Sequence, residues 1–392
     1  MKRILVSLFF ILPTLFACQS NNIKHLGATH PPNSLYLEQQ FIKPPLFSIE
    51  SEQDIFMLDA EMISMVENNL NTARNPKNKA LKLLKHIFDK EEIALNYSNN
   101  ANLIARDTYH SKMANCMSLT IMAYALAEHA NLRVEFQQVD VPEYWIRNGR
   151  YNLLTGHINL LIKPDVNSEK NIILGNDNLQ IDFDPFVSKQ TFPKRKIGKN
   201  TVLAMFYNNK GGQALVDSDY DIAYQYFKAA TKVDGGFSPA WGNLAVLYRL
   251  TDNLVTAEKV YRHAVAINPN NLTSLSNLAI LLRSQNKNLE ADDIEKQLLS
   301  KRKKNPYYHA VLADEAFYQQ DYQAALKHFK NALKLKKNIH EFYFGLAKVY
   351  YQMNRLADAK RAMQKALLLN KTKAIEHQYI AKLNFLKAEI PN

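Results

Sequence analysis

Five stretches of this chain repeat at an interval of 34 residues, and that period constrains the fold more than any other feature. Starts at Ala204, Ser238, Leu272, Pro306 and His340 bring residues into fixed columns. One column reads Ala223, Ala257, Ala291, Ala325, Ala359. A second reads Gly211, Ala245, Ala279, Ala313, Ala347. A third reads Ala230, Ala264, Leu298, Ala332, Ala366, with one large substitution. A fourth reads Phe227, Tyr261, Glu295, Phe329, Met363. Small residues at fixed places let two helices approach closely, and the large residues fill the gap between neighbouring units. A unit of this size cannot bury its apolar face alone, so the units must stack.

Within the second unit, Trp241, Leu244, Ala245 and Tyr248 mark a first helix, and Pro269 marks a closing turn. The array resembles the tetratricopeptide repeat, a helix–turn–helix unit of this length. The resemblance implies an all-α solenoid of five repeats over residues 204–373, with a peptide or protein ligand in its groove. The first and third units depart more from the pattern. A final helix, Ile375 to Lys387, would turn Tyr379, Ile380 and Leu383 inward and cap the solenoid over residues 374–392.

The front of the chain reads differently. Lys2 and Arg3 precede an apolar run, Ile4 to Leu12, that is short for a bilayer span. Leu15-Phe16-Ala17-Cys18 follows and resembles the lipobox of bacterial lipoproteins. The resemblance implies that residues 1–18 are a signal, that Cys18 is lipidated and becomes the mature N-terminus, and that a membrane partner is reached through this lipid. Gln19, where an Asp would retain the protein at the inner membrane, implies an exported protein on the outer membrane facing the periplasm. Residues 19–50 are polar and carry Pro31-Pro32 and Pro44-Pro45, which reads as a flexible tether. The excess of 49 Lys+Arg over 37 Asp+Glu, a net +12, is spread along the chain without a nucleic-acid motif, so it reads as a solvated surface and not as a nucleic-acid interface.

Residues 51–200 read as an α+β domain, a central helix against an antiparallel sheet. Ile55, Leu58, Met62, Met65 and Val66 form one helical stripe. Leu81, Leu84, Ile87 and Phe88 form a second after Asn75-Pro76, and Asn96 to Asn100 is a polar loop. Asn115-Cys116-Met117-Ser118-Leu119 opens a helix with apolar residues at Leu119, Met122, Ala123, Leu126 and Ala127. Alternation over Arg133 to Val141 and His157 to Ile162, and over Asn171 to Leu174 and Leu179 to Phe183, predicts strands. The segment Glu143 to Tyr151 reads as a loop or irregular ribbon, and Gly175 to Asn178 as a turn.

If Cys18 is acylated, Cys116 is the remaining thiol, without a disulfide partner in the chain. It stands at a helix start, where unpaired N–H groups and the helix dipole favour a thiolate. On the strand starting at His157, Ile158, Leu160 and Ile162 face the core, whereas His157 and Asn159 face the other way. On the last strand Ile181 and Phe183 point inward, with Asp182 and Asp184 on the polar face. Paired strands would let one Asp orient His157 and let His157 serve Cys116, the arrangement that nucleophilic catalysis requires.

These segments resemble the transglutaminase-like branch of the papain-like cysteine enzymes over roughly residues 80–190. Asn115 to Leu119 matches the cysteine segment, although Ala114 stands where glycine is usual. Gly156-His157-Ile158-Asn159-Leu160 matches the histidine strand, and Ile181-Asp182-Phe183-Asp184-Pro185 the aspartate strand. The resemblance implies Cys116, His157 and one of Asp182 and Asp184 as catalytic residues. Asp184-Pro185 looks like the ending of many transglutaminase cores, whereas lipoproteins that join such a core to tetratricopeptide repeats look closer at Asp182-Phe183. Both are carried, Asp182 first. The Cys116 N–H is a candidate oxyanion donor, and Gln137, Gln138, Tyr144 and Trp145 are candidates for lining the cleft. No zinc pattern, Walker loop or dinucleotide fingerprint implies a cofactor. Two functions follow: an exported thiol enzyme acting on peptide or protein amides in the cell envelope, or a catalytically silent scaffold that binds protein partners through its repeats.

Overall fold

The computed structural model describes residues 33–42, 47–73, 75–88, 96–97, 101–111, 113–141, 145–148, 151–154, 156–163, 179–183, 192–370 and 373–389. Cys18, Asp184, Tyr144, the Asn171 to Leu174 segment and the Gly175 to Asn178 turn lie outside the described residues.

Short helices α1 (Glu52–Phe56) and α2 (Ala60–Met65) open the front domain, each capped by its preceding side chain, Ser51 and Asp59. A π-helical stretch, Val66–Leu70, continues α2. Of the first predicted stripe, Ile55, Met62, Met65 and Val66 are buried and Leu58 packs against the same core. Helix α3 (Pro76–Phe88) starts where Asn75 accepts from the Asn78 N–H at 2.7 Å. Its buried face is Ala80, Leu83 and Ile87, not the predicted Leu81, which is 47 % exposed. The spacing 80–83–87 makes a continuous apolar row only when the small Ala80 is counted with it. The expected loop at Asn96 holds strand β1 (Asn96–Tyr97), parallel to β2 (Met113–Ala114). Between them runs α4 (Ala105–Ser111).

Helix α5 (Cys116–His129) is apolar almost all round, with Met117 to Ala123 and Ala125 to Ala127 buried. A helix without a polar face belongs inside, and this one is surrounded. On one side lies an antiparallel sheet in the order β7 (Leu179–Ile181), β6 (His157–Lys163), β3 (Arg133–Val139), β8 (Lys194–Ile197). Phe136, Ile158, Leu160, Ile162, Ile181, Phe183 and Ile197 face α5 in one core. Strands β4 (Trp145–Asn148) and β5 (Tyr151–Leu154) pair as a hairpin where a loop was expected.

The array follows as helix pairs: α6 (Lys199–Val216) and α7 (Tyr220–Val233), α8 (Ser238–Leu250) and α9 (Leu254–Ile267), α10 (Leu272–Ser284) and α11 (Asn288–Arg302), α12 (Pro306–Tyr318) and α13 (Tyr322–Leu335), and α14 (His340–Gln352) and α15 (Leu356–Leu369), with α16 (Lys373–Glu389) last. Four of the first helices are 13 residues long, but α6 has 18 and starts before Ala204. Its extra turn buries Val202 and Leu203 in the core beneath α5, so the two halves share one apolar core through α6, α7 and Ala240. In the fourth column Phe227, Tyr261, Phe329 and Met363 are buried, whereas Glu295 is exposed and pairs with Arg283. Ile294 and Leu298 fill that layer instead. On α16, Tyr379 and Leu383 turn inward with Leu386, and Ile380 stays 38 % exposed.

Two residues beyond the end of each first helix stands a residue with positive φ: Ser218, Asp252, Asn286, Gln320 and Asn354, between 54° and 67°. The next N–H reaches back to the last turn in every unit, as in Asn253 to the Tyr248 carbonyl at 2.8 Å and Asp321 to the Ala316 carbonyl at 2.9 Å. This left-handed closure recurs every 34 residues without a glycine.

The segment expected as a flexible tether is docked in part. Leu35, Tyr36 and Phe41 are buried against the first two repeats. Phe47 and Ile49 pack on the front core, and the Glu50 carbonyl accepts from the Tyr207 hydroxyl at 2.6 Å. Aromatic residues scattered between proline pairs show no periodicity in sequence, yet find pockets in three dimensions.

Candidate functional site

Cys116 is the first residue of α5 and is half-buried. Its place is set by a capping box. Asn115 Oδ1 accepts from the Ser118 N–H at 2.9 Å, and Ser118 Oγ accepts from the Asn115 N–H at 2.9 Å. Asn115 Nδ2 also donates to Asn102 Oδ1 at 2.9 Å, which ties the cap to the preceding loop. Cys116 therefore enters the helix from a fixed direction, with its own N–H among the first-turn groups that lack an intrahelical acceptor.

His157 begins β6 opposite Val139, and Asp182 follows the last paired residue of β7, Ile181. The two side chains meet with Nε2 at 2.8 Å from Oδ1, each 3 % exposed. Asn159 Nδ2 donates to the other oxygen of Asp182 at 3.0 Å. Because a carboxylate only accepts here, this bond also fixes which end of the Asn159 amide is nitrogen. The Cys116 thiol lies near enough to the His157 ring to bear on its protonation. Burial alone would lower the pKa of His157. The hydrogen bond to Asp182 and the nearby Cys116, with the charges on both, outweigh it and lift the ring from 6.5 to about 9. The ring then holds its proton at neutral pH, between a carboxylate and a sulfur.

The structure thus brings Cys116, His157 and Asp182 together. Both faces of β6 are buried: Ile158 and Leu160 on α5, and His157 and Asn159 in a polar layer. Of the proposed cleft residues, Gln137 pairs with Asn159 and shares its face, and Gln138 points with Ile158 to the opposite face, where it accepts from Arg195 at 2.6 Å. Trp145 enters only as the first residue of β4. Sequence reasoning missed Asn159 as a partner of Asp182. The signal was there, since His157 and Asn159 were placed on one face with Asp182. Gln137 Oε1 and Asn159 Oδ1 are buried without a hydrogen-bond partner. A shallow depression lined by Phe56, Leu58, Glu67, Asn71 and His129 lies at the far end of α5 and none of the three residues reaches it.

Chemically, a half-exposed thiol beside a protonated imidazole and a buried carboxylate can perform acyl transfer.

Three family models, each described as a tetratricopeptide repeat, match residues 238–271, 271–305 and 316–379. The C-terminal region therefore carries tetratricopeptide repeats. Superkiller protein 3 of Schizosaccharomyces pombe is 22 % identical over 170 residues, 42 % of this chain and 12 % of that protein. Protein O-mannosyl-transferase TMTC3 of Homo sapiens is 26 % identical over 191 residues, 45 % of this chain and 21 % of that protein. The chain thus spans no more than about a fifth of these relatives. Among solved structures, Pseudomonas aeruginosa pilF is 16 % identical, covering 49 % of this chain and 90 % of that one, at a TM-score of 0.31. YrrB, described as a TPR protein with an unusual peptide-binding site, is 13 % identical, covering 45 % of this chain and 90 % of that one, at 0.25.

Proposed function

We propose that this chain binds a protein or peptide partner through its tetratricopeptide repeats. The observation that carries this is the repeat array itself, matched over 238–305 and 316–379, since stacked repeats of this kind imply protein–protein interaction. A photo-crosslinking residue in place of Tyr318, which is 62 % exposed on α12, tests it in the full chain. A discrete cross-linked partner is the expected result. Labelling no different from that of a crosslinker at exposed Leu289 on α11 would defeat the reading.

A second reading is favoured by the contact of His157 with Asp182 and by the Cys116 thiol near its ring. In it the front domain is a transglutaminase-like thiol enzyme. The Cys116 sulfur attacks an amide carbonyl, and a C–S bond forms as the carbonyl π pair moves to oxygen. Collapse expels the amine, which takes the proton from His157. Water or a second amine then attacks the thioester, gives its proton to His157 and releases Cys116. Asp182 stays ionised and holds the ring. The substrate is a peptide or protein amide, presented by the partner that the repeats hold. An electrophilic thiol probe on wild type, Cys116→Ala and His157→Ala separates this from a silent scaffold. Labelling that persists undiminished in His157→Ala counts against the enzyme.

Export and lipid anchoring at Cys18, with the protein on the outer membrane facing the periplasm, belong to the same reading and rest on the Leu15 to Cys18 pattern. Among the described residues no helix is long and apolar enough to cross a membrane. Fatty-acid labelling lost in Cys18→Ala is the expected outcome.

A further inference from the structure

Residues 35–42 lie on the repeat array as a short ligand lies on a receptor. Phe41 stacks on Tyr224 with ring centroids 4.5 Å apart and lies 5.9 Å from Tyr248. The Tyr36 ring is 5.8 Å from Trp241, its hydroxyl is 3.0 Å from Thr231 Oγ1, and Lys232 Nζ sits 5.7 Å from the ring centre. The main chain is read as well. The Tyr248 hydroxyl accepts from the Leu37 N–H at 3.2 Å and donates to the Leu35 carbonyl at 3.0 Å. The Ile42 N–H donates to Asp221 Oδ1 at 2.9 Å. Lys228 pairs with Glu38.

Asp221, Tyr224, Lys228 and Thr231 recur at three and four residues, so they form one face of α7. Trp241 and Tyr248, seven apart, are the matching row on α8. Together they make a groove with two aromatic pockets, a hydroxyl that brackets the backbone, and a cation between the pockets. The repeat pattern does not account for this groove's contents, because the occupant is outside the array and lies between Pro31-Pro32 and Pro44-Pro45. It is a short linear segment.

We propose that the α7–α8 face of the first two repeats is a peptide-docking groove, held in cis by residues 35–42. Its partner class is a short segment that turns as residues 33–42 do, with the Gln40 N–H reaching back to the Leu37 carbonyl at 3.1 Å, and that carries two aromatic side chains five positions apart with an acidic residue between them. Such a segment from another protein competes with the strap, and the strap is released when it wins. The proposal rests on the partner-binding reading only in that both use the array. Crosslinks from Tyr318 can persist if this groove is inert, and the groove can bind if Tyr318 captures nothing.

A tethered strap acts at an effective concentration on the order of millimolar, so free peptide competes only once the strap is weakened. The probe is a fluorescent peptide of residues 33–42, titrated by anisotropy against the full chain. Tyr36→Ala/Phe41→Ala alters the strap and leaves the groove intact. This variant should bind the peptide at least tenfold more tightly than wild type, and a peptide lacking both aromatic side chains should lose binding. Equal affinity of wild type and folded variant for the natural peptide, or no discrimination against the peptide without aromatics, overturns the proposal. Should the double variant fail to fold, Lys228→Glu serves. It should prefer a peptide with Glu38→Lys over the natural peptide severalfold, and equal binding of the two overturns the proposal.

Discussion

His157 Nε2 stands 2.8 Å from Asp182 Oδ1, and neither side chain is more than 3 % exposed. A carboxylate this deep must be paired, because an isolated buried charge is very costly. His157 and Asn159 reach Asp182 one on each oxygen. The imidazolium form of His157 is what this arrangement favours, and several measurements follow from it.

Stability should fall as pH rises through the range where His157 loses its proton. The folded ring titrates near 9, above the ordinary 6.5. A raised pKa means the folded state holds the proton more tightly, so the stabilisation is fully present below about pH 6.5 and is lost as pH rises through about 9. The size is on the order of 3 kcal/mol by linkage. Urea unfolding of the front domain between pH 6 and pH 10 measures it. A profile as steep in His157→Gln as in wild type would remove His157 as the cause.

Asn159→Leu removes the amide that donates to Asp182 Oδ2 at 3.0 Å. We expect a loss of about 1–3 kcal/mol and a slower alkylation of Cys116 at neutral pH. Asn159→Gln keeps an amide on the same face and should recover part of the rate. Alkylation kinetics across pH 5–9 read the effect, and an unchanged profile in folded Asn159→Leu would sever Asn159 from the site.

The alternation of His157 to Ile162 and of Leu179 to Phe183 was enough to place His157, Asn159 and Asp182 on one face, because the side-chain period of a strand is fixed at two. What it could not give was burial on that face. The repeats were legible from Ala223 and its counterparts, since a small residue at a helix crossing is a local requirement. Strand β8 escaped because Lys194, Arg195 and Lys196 carry no apolar alternation, and among the described residues it is an edge strand that pairs with β3. The positive-φ turns escaped for a related reason. Ser218, Asp252, Asn286, Gln320 and Asn354 share a conformation and not a residue type, so the column is periodic in backbone and mixed in sequence.

Among those five turn residues Gln320 is the least suited, with φ 63° and no short polar side chain to ease the left-handed region. A non-glycine residue there costs about 1 kcal/mol. Gln320→Gly should therefore stabilise the array by roughly 0.5–1 kcal/mol, offset in part by the greater freedom of glycine in the unfolded chain. A rise of a few degrees in the thermal midpoint is the expected reading, and a fall would mean that the Gln320 side chain makes a contact of its own.

Gly345 is the opposite case, a site where the smallest side chain is required by a neighbour and not by the backbone. A Cβ built there would overlap the Phe329 ring at Cζ and Cε1. Phe329 is 2 % exposed, on α13 of the preceding repeat, so its ring has little room to withdraw. Gly345→Ala must push α13 and α14 apart, at a cost of about 1–3 kcal/mol for overpacking, against roughly 1 kcal/mol gained from helix propensity. The balance favours destabilisation. Gly345→Ala combined with Phe329→Leu should recover stability relative to Gly345→Ala alone, because the smaller side chain vacates the contact. A double-mutant cycle in thermal unfolding measures the coupling. Additive effects of the two substitutions would mean that the packing between the fourth and fifth repeats is looser than this contact requires.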